Sequence, residues 1–260
     1  MPELRIGVQL ATLRQPFKKA LHTAGDLGVD GVEIDARNHL KPSELSQSGL
    51  RELRKMLNDR DLRVCAIGFR TRRGYNVPEG LDRRVEATKQ AMKLAYELGT
   101  NVVVNQIGRI PDEPTGTDWD MLVEVLNDLG NYGQHVGAIL AAETGSEDAT
   151  TLANLVESLS PGCLGVNLDP ANLIINGFSP SDSVRELGRH TVHVHANDAV
   201  RDLARGRGVE TPIGRGSVDF PELIGALEEF EYRGYFSIER GNSNDPIGET
   251  AQAIQFLRNM

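Results

Sequence analysis

The sequence predicts a single (β/α)8 TIM barrel spanning residues 1–260, and three observations lead to this prediction. Short β-branched runs alternate with longer amphipathic segments along the whole chain, which is typical of parallel strands joined by right-handed helical crossovers. No strand-to-helix turn carries the glycine-rich phosphate fingerprint of a nucleotide-binding open sheet. No composition shift or Pro/Ser-rich linker divides the 260 residues into halves, and single barrels of about 250 residues are common.

Eight short runs have the length and the apolar, β-branched character of strands. Glycines at Gly28 and Gly99 precede two of them, where a helix ends easily in a left-handed residue. The predicted strands are Arg5–Leu10, Gly31–Asp35, Arg63–Gly68, Asn101–Ile107, Val136–Ala142, Leu164–Leu168, Thr191–His195 and Tyr235–Glu239.

The segments between these runs repeat apolar residues at spacings of three and four. This spacing gives each helix one apolar face that suits packing on a sheet. The clearest predicted helices are Pro16–Leu27, Leu81–Leu98, Trp119–Leu129 and Phe220–Phe230, and weaker patterns cover Ser43–Leu57, Thr150–Leu159, Ser181–Leu187 and Thr250–Leu257. The longer irregular stretches are Arg70–Gly80, Arg109–Asp118 and Arg205–Gly216.

Composition excludes several classes of protein. The 28 basic and 37 acidic residues give a net charge of −9, which repels nucleic-acid phosphates. The apolar stretch Val136–Ala142 is far shorter than a bilayer span, and Glu3 and Arg5 stand where a signal peptide needs apolar residues. Two cysteines are too few for a disulfide framework. We therefore expect a cytoplasmic protein with no nucleic-acid or membrane partner.

Four polar residues of metal-ligating types follow four consecutive predicted strands. Glu143 follows the fifth strand and Asp169 the sixth, His195 ends the seventh and Glu239 the eighth. A TIM barrel builds its active site at these carboxyl ends. Three carboxylates packed together repel one another unless a cation lies between them. The donor set predicts one divalent metal ion, with Mn²⁺ or Mg²⁺ favoured and Co²⁺ or Zn²⁺ left open.

His193 lies two residues before His195, so both side chains point to the barrel interior. One layer below the mouth, His193 is more typical of a core histidine, or of one that supports a ligand, than of a metal ligand. We count it among the candidate substrate-binding residues.

The chain resembles the xylose-isomerase-like TIM barrel superfamily of sugar isomerases and epimerases. This superfamily includes ketose 3-epimerases, hydroxypyruvate isomerase, inosose dehydratase and, more distantly, endonuclease IV. The most specific piece is His195–Asp198, followed by a Gly-x-Gly and a last strand that ends in glutamate. The matching stretches are LGVDGVEID (Leu27–Asp35), AAET (Ala141–Thr144), GVNLDPANL (Gly165–Leu173), VHVHANDAVR (Val192–Arg201) and Ile213–Arg240.

The resemblance implies roles for matching positions. The four strand-end residues resemble the metal ligands of ketose epimerases, in which the glutamates equivalent to Glu143 and Glu239 also donate and accept the proton. Arg201 resembles a substrate-contacting arginine of that family.

Two positions depart from the epimerase pattern. Asn172 stands where those epimerases have a substrate-binding histidine, so we take it as a candidate substrate-binding residue. Ala149 stands where they have a second glutamate, with Glu147 and Asp148 as imperfect substitutes. The metal site matches the family, but these departures disfavour a 3-epimerase of free ketohexoses.

The predicted chemistry is proton abstraction next to a carbonyl. A metal acting as a Lewis acid polarises the carbonyl of an α-hydroxy carbonyl compound, and a carboxylate removes the acidified proton to give an enediolate. Return of the proton gives epimerisation or isomerisation, and loss of a β-hydroxyl gives dehydration. The expected substrate is a ketose, a sugar phosphate or a related compound, with an inosose-type dehydratase as the alternative.

Arginines crowd two loops at this end of the predicted barrel. They suit either a solvated loop or a lid that binds a phosphate or carboxylate of the substrate. They are Arg201, Arg205, Arg207 and Arg215 after the seventh strand, and Arg70, Arg72 and Arg73 after the third. The sequence therefore does not decide between a phosphorylated or acidic sugar and a neutral sugar as the substrate.

Two other functions are disfavoured. An endonuclease IV-like phosphodiesterase needs further histidine ligands, but the first four predicted strands end without one, near Leu10, Asp35, Phe69 and Gln106. A non-catalytic sugar-binding barrel is the other less favoured alternative, and it is suggested by the departures at Asn172 and Ala149.

The sequence also leaves the oligomeric state open, since soluble enzymes commonly form symmetric dimers or tetramers.

Overall fold

The computed structural model describes residues 3–202 and 206–260, and its closed parallel barrel confirms the predicted fold class. The barrel closes in the order β1-β10-β7-β6-β5-β4-β3-β2, and a separate antiparallel hairpin consists of β8 and β9. The strands are β1 (Arg5–Gln9), β2 (Gly31–Asp35), β3 (Arg63–Gly68), β4 (Val102–Asn105), β5 (Ile139–Glu143), β6 (Leu164–Leu168), β7 (Thr191–Ala196), β8 (Asp198–Arg201), β9 (Gly208–Thr211) and β10 (Tyr235–Ile238).

Helices surround the barrel, and several begin at an Asp or Ser whose side chain accepts a backbone N–H of the first turn. In the described ranges, every helix is too short or too polar to span a membrane. The helices are α1 (Phe17–Asp26), α2 (Gln47–Asn58), α3 (Leu81–Glu97), α4 (Thr117–Val136), α5 (Ala149–Ser158), α6 (Pro170–Asn176), α7 (Pro180–Leu187), α8 (Phe220–Glu229) and α9 (Pro246–Arg258).

The buried apolar residues form two clusters. The larger cluster joins the strands to the surrounding helices and includes Leu21, Leu122 and Leu227. The smaller cluster consists of Ala66, Val102, Val104 and Ala141. Ala141 shares a strand face with Glu143, so the small cluster fills the barrel interior directly below the predicted site.

The structure differs from the predicted elements at several places, including a fourth strand that covers only Val102–Asn105 and a fourth helix that covers Thr117–Val136. The fifth strand begins at Ile139 rather than Val136, because Val136 ends α4 and Gly137 caps that helix in a left-handed conformation with φ of 83°. The short helix α6 follows directly after Asp169, and the hairpin of β8 and β9 occupies part of the loop expected after the seventh strand.

Candidate metal centre and active site

The structure brings the four predicted ligands together at the mouth of the barrel. Nδ1 of His195 lies 2.9 Å from Oε2 of Glu239, 3.3 Å from Oδ2 of Asp169 and 3.7 Å from Oε2 of Glu143. All four side chains are at least nine-tenths buried. Three carboxylates therefore converge on one ring nitrogen.

This donor set fits a divalent cation. One ligand atom each from Glu143, Asp169 and His195 lies within 4.8 Å of the other two, and Glu239 is in direct contact with the same imidazole nitrogen. Carboxylate oxygens with one imidazole suit Mn²⁺ or Mg²⁺ and are compatible with Zn²⁺. The geometry supports a divalent metal site without selecting the ion.

Strand register and a helix cap place these groups. Glu143 is the last residue of β5 and pairs with Asn167 on β6. Asp169 follows β6 and caps α6, where its Oδ1 accepts the backbone N–H of Asn172 at 2.8 Å and the amide of Asn197 at 3.1 Å. These two bonds engage Oδ1, so Oδ2 of Asp169 is the oxygen that faces His195.

Glu33 on β2 contacts the His195 imidazole on the side away from the three carboxylates. Its Oε2 lies 3.1 Å from Nε2 of His195, 3.2 Å from Nε2 of His193, and accepts the Ser237 hydroxyl at 3.2 Å. Its Oε1 accepts the Gln9 amide at 3.1 Å. A proton on Nε2 of His195 therefore points at Glu33, which leaves Nδ1 toward the carboxylates. Such a carboxylate behind a histidine fixes its tautomer and raises its basicity.

Glu33 was not predicted as a site residue, because it lies within a strand and not at a strand end. The signal lay inside GVEID (Gly31–Asp35), where Glu33 interrupts an otherwise apolar run. Within a closed barrel such a carboxylate needs buried partners. Here the partners are the two histidines of β7, and Glu33 is almost fully buried.

Burial and neighbouring charges drive apart the pKa values of the two candidate proton-transfer groups, Glu143 and Glu239. Burial raises the pKa of Glu143 to about 7, despite the opposing effect of the Arg70 guanidinium. Burial also acts to raise the pKa of Glu239, but the neighbouring His195 outweighs it and lowers that pKa to about 2. Two carboxyl groups whose pKa values are driven apart are typical of an acid and base pair.

The pKa values of His195 and His193 are shifted in opposite directions. Burial alone lowers the pKa of His195, but the carboxylates of Glu239 and Glu33 outweigh burial and hold that pKa well above its usual value. His193 has Glu33 as its hydrogen-bonding carboxylate, and burial keeps its pKa below the usual value. Burial likewise opposes ionisation of Glu33, yet His195 and His193 lower its pKa well below the usual value. Glu33 therefore stays ionised between the two rings.

Arg70, in the loop after β3, reaches across the mouth to both glutamates. Its Nη2 donates to Oε1 of Glu239 at 2.6 Å and to Oε2 of Glu143 at 3.3 Å. Glu143 also accepts the Gln106 amide at 3.0 Å. From the sequence, Arg70 is predicted only as a cation for a substrate anion, because no local pattern connects it to the two glutamates.

The three candidate substrate-binding residues lie in different surroundings. Asn172 is next to the cluster, with its amide 3.4 Å from Oε1 of Glu143, and Gly145 with φ of 141° allows this close approach because a Cβ there would collide with Asn172. His193 is buried below His195. Arg201 lies against Gly177, at the opposite end of α6 from Asp169 and so about 10 Å along that helix.

In the loop after β7, the other arginines that the structure describes make no hydrogen bond or ion pair with the four predicted ligands. Arg207 and Arg215 are exposed, and Arg205 lies outside the described residues. Of the two carboxylates next to Ala149, Asp148 caps α5 by accepting the Thr151 N–H at 2.8 Å.

Two cavities adjoin the cluster. One of about 350 Å³ extends from Gln106, Glu143 and Asn172 to Glu147 and Asn176. The other, of about 170 Å³, lies on the side of β1 to β4 and is lined by Gln9, Glu33, Asp35, Arg37, Asn38 and Arg70, with apolar neighbours. Both are lined partly by polar groups. Each opens beside a candidate proton-transfer glutamate or its guanidinium partner, so a small polar ligand has room there.

Fold and site together define a TIM barrel with a carboxylate-rich candidate metal centre at its mouth. Residues 21–260 match the family of xylose isomerase-like TIM barrels, and the chain belongs to this family. A similar curated protein is an inosose dehydratase of Geobacillus thermodenitrificans, 25% identical over 242 residues that cover 79% of each chain.

Solved structures have the same fold. A xylose isomerase domain protein from Planctomyces limnophilus superposes with a TM-score of 0.87 at 26% identity, over 99% of this chain and 97% of that one. A xylose isomerase-like TIM barrel protein from Mycobacterium smegmatis, solved in complex with magnesium, has a TM-score of 0.80 at 18% identity, over 99% and 96%. Ketose 3-epimerases are also among the structural neighbours, at 16% to 19% identity, a level that supports the fold alone.

Proposed function

We propose that the protein is a divalent-metal-dependent isomerase or epimerase of a ketose, a sugar phosphate or a related α-hydroxy carbonyl compound. The observation that carries this proposal is the convergence of the Glu239, Asp169 and Glu143 carboxylates on Nδ1 of His195. Mn²⁺ or Mg²⁺ is the proposed ion because three of the four donors are carboxylates, and the neighbour solved with magnesium supports this choice.

When bound, a divalent cation supplies Lewis-acid polarisation of the substrate carbonyl, which acidifies the neighbouring C–H. The low pKa of Glu239 keeps it ionised and suited to remove that proton. Glu143 is proposed to return a proton that it takes up from solvent, because burial gives it the higher pKa of the two carboxyl groups. The breaking C–H bond leaves its electron pair in the enediolate.

Strand order supports epimerisation over simple isomerisation. β5, which carries Glu143, and β10, which precedes Glu239, are separated by β6 and β7 in the barrel. The two carboxyl groups therefore approach a substrate in the mouth from different sides, and a proton removed on one face is returned on the other. Asn172, next to Glu143, is the proposed contact for a substrate hydroxyl. Arg201 is proposed to contact the far end of a longer substrate, and His193 to support the site from below.

A dehydratase is the second candidate, and the similarity to the Geobacillus inosose dehydratase favours it. Dehydration uses the same first step, after which Glu143 protonates a departing β-hydroxyl instead of carbon. The two reactions differ in product, since dehydration releases water and the other conserves the formula.

Two smaller proposals concern partner and compartment. The net charge of −9 supports a small-molecule substrate over nucleic acid. Cys65 and Cys163 are buried free thiols, which supports a reducing, cytoplasmic compartment. A homo-oligomer is tested by light scattering of the purified protein.

The test is a substrate panel with a matched variant pair. EDTA-treated protein is reloaded with Mn²⁺, Mg²⁺ or Co²⁺ and incubated in D₂O with ketoses, sugar phosphates and inososes. We expect deuterium at the α-carbon of one class of substrate, loss of activity by more than about a hundredfold in Glu239→Gln, and weaker Mn²⁺ binding in that variant. Glu229→Gln, which changes an exposed carboxylate at the end of α8, is expected to match the wild type.

Full activity in Glu239→Gln overturns the assignment. Sugar binding with no exchange in any combination means a non-catalytic barrel. Cleavage of abasic duplex DNA, included as a further substrate, means a phosphodiesterase.

A further inference from the structure

We infer that Arg70 is a further catalytic residue, which binds the substrate oxygen that becomes anionic when the proton leaves carbon. This inference rests on the proposed function and adds a role that the four strand-end residues do not supply. Its basis is the position of the guanidinium between the two candidate proton-transfer carboxylates.

Arg70 contacts both carboxylates from the opposite side of the barrel. Its loop follows β3, which β4 separates from β5 and which β2 and β1 separate from β10. Both ion pairs use Nη2, whereas a guanidinium carries five N–H donors on three nitrogens. Within residues 3–202 and 206–260, no hydrogen bond engages Nη1 or Nε of Arg70, so these donors can meet a second acceptor.

The side chain is placed to meet a substrate. It is 45% exposed, whereas the side chains of Glu143 and Glu239 are 3% and 10% exposed. It also lines the cavity of about 170 Å³ together with Gln9 and Arg37. A ligand in the mouth therefore meets the guanidinium at the same level as the two carboxylates.

Charge balance explains why a cation belongs here. The carboxylates of Glu143, Asp169 and Glu239 carry three negative charges, which a dication and one guanidinium balance. When Glu239 takes the proton, it becomes neutral and the carbonyl electron pair moves to the substrate oxygen. The negative charge thus moves from the partner of Arg70 to an atom next to it, and the guanidinium exchanges one anionic partner for another.

The same contact serves the return step. Arg70 also bonds Glu143, so it stays paired when this group gives its proton to carbon and becomes ionised. A preorganised donor of this kind acts where charge develops and needs no reorganisation. A guanidinium in contact with only one glutamate would act in only one of the two proton-transfer steps.

The test separates this role from a structural cross-link. Wild type, Arg70→Gln, Arg70→Lys and the control Arg72→Gln are compared; Arg72 lies two residues along the same loop and lines a different cavity. Three ligands are titrated by calorimetry: Mn²⁺, neutral D-allulose, and glycolohydroxamate as a planar anionic mimic of an enediolate. Deuterium exchange is measured with whichever sugar the wild type accepts.

Arg70→Gln is expected to bind Mn²⁺ and the neutral sugar within about threefold of wild type. We expect it to lose about a hundredfold or more in kcat and in affinity for the hydroxamate, the effect of removing one oxyanion donor. Arg70→Lys retains the charge but not the forked geometry, so an intermediate loss is expected. Arg72→Gln is expected to match the wild type.

Chemical rescue gives a readout that folding alone does not move. We expect guanidinium chloride at millimolar concentrations, far below those that unfold proteins, to restore part of the exchange activity of Arg70→Ala, with ammonium chloride less effective. Equal losses of Mn²⁺, sugar and hydroxamate binding in Arg70→Gln show a structural cross-link and overturn the inference, as does unchanged kcat.

The outcome for the wild type distinguishes the two proposals. If wild type exchanges a substrate proton and Arg70→Gln does so equally well, the inference fails while the proposed function stands. If Mn²⁺-loaded wild type neither exchanges a proton nor binds the hydroxamate, the proposed function fails and the role of Arg70 fails with it.

Discussion

The two halves of the barrel contribute different parts of the site. The half formed by β5, β6, β7 and β10 carries the carboxylates and the imidazole that point at a common centre. The half formed by β1 to β4 carries Glu33, Arg70 and Gln106, which contact those residues, and Gln9, which donates to Glu33. One half therefore offers ligands, and the other orients and neutralises them.

This division shows why ligands alone do not define the centre. Glu33, from the opposite half, accepts at Nε2 of His195 and so helps to orient Nδ1 toward the three carboxylates. Without that contact the imidazole is free to present either nitrogen. Substitutions in the supporting half, β1 to β4, should therefore weaken metal binding even though every proposed ligand is still present.

The largest effect is expected for Glu33→Gln. Removing this charge leaves two buried histidines without their carboxylate, so we expect a loss of about 3 kcal/mol in the free energy of unfolding. Mn²⁺ affinity is expected to fall about 10-fold to 100-fold, as for other groups that orient metal-ligating histidines. Urea unfolding and calorimetric titration measure the two effects.

Ser237→Ala is the matched control, since its hydroxyl donates to the same oxygen of Glu33 without contacting the ligands. Its expected cost is about 1 kcal/mol, with Mn²⁺ affinity unchanged. Equal Mn²⁺ affinity in Glu33→Gln and wild type contradicts the orienting role.

Metal loading should stabilise the protein through the ligand half alone. At a free Mn²⁺ concentration of 100 times Kd, we expect about 2.7 kcal/mol of stabilisation, read as a rise in Tm after EDTA treatment and reloading. Asp169→Asn should lose this increment. Asp219→Asn is the control, because Asp219 caps α8 as Asp169 caps α6 and asparagine is an equally good cap. A similar Tm rise in Asp169→Asn excludes Asp169 as a ligand.

The ligand half was predictable from the sequence, because hydrophobic alternation locates strand ends and a parallel barrel gathers them at one mouth. Glu143, Asp169, His195 and Glu239 each end or follow an apolar strand, and no further information was needed to place them together. The fold itself followed from the same alternation.

The supporting half was not predictable in the same way. Glu33 lies mid-strand, and its partners are some 160 residues away along the chain, so no local pattern connects them. Arg70 sits in an irregular loop whose path depends on tertiary packing. α6 carried a signal that was overlooked, since Asp169-Pro170 combines a cap residue with proline at the first helical position.

Proton competition should make metal binding depend on pH. Glu239 and Glu33 hold the pKa of His195 well above its usual value despite burial, and burial raises that of Glu143 to about 7. Metal binding displaces both protons. Mn²⁺ affinity is therefore expected to rise about 100-fold per pH unit below pH 7 and about 10-fold above it, measured by titration across pH 5.5 to 8.5.

EDTA-treated protein should show the opposite trend in stability. The pKa values of His195 and Glu143 are both raised on folding. The stability that these two groups contribute is therefore fully present below their pKa values in the unfolded chain, and it is lost as pH rises through their pKa values in the folded protein. Tm of the EDTA-treated protein should thus fall between pH 5.5 and 8.5, while the gain from Mn²⁺ grows. A pH-independent Mn²⁺ affinity contradicts protonation of His195 and Glu143.

The smallest effect concerns the loop after β5, where Asp148 and Glu147 stand near the position of a second glutamate in ketose epimerases. Asp148 is exposed and accepts the Thr151 N–H, so Asp148→Ala should cost about 1 kcal/mol as a lost helix cap and leave kcat/KM unchanged. Both residues line the cavity of about 350 Å³, but the Asp148 carboxylate is engaged in the helix cap. Glu147→Gln is therefore the change expected to raise KM, without affecting Mn²⁺ binding. A large fall in kcat/KM for Asp148→Ala at unchanged stability would instead place Asp148 in the substrate site, and the ligand half would then extend beyond its four strand ends.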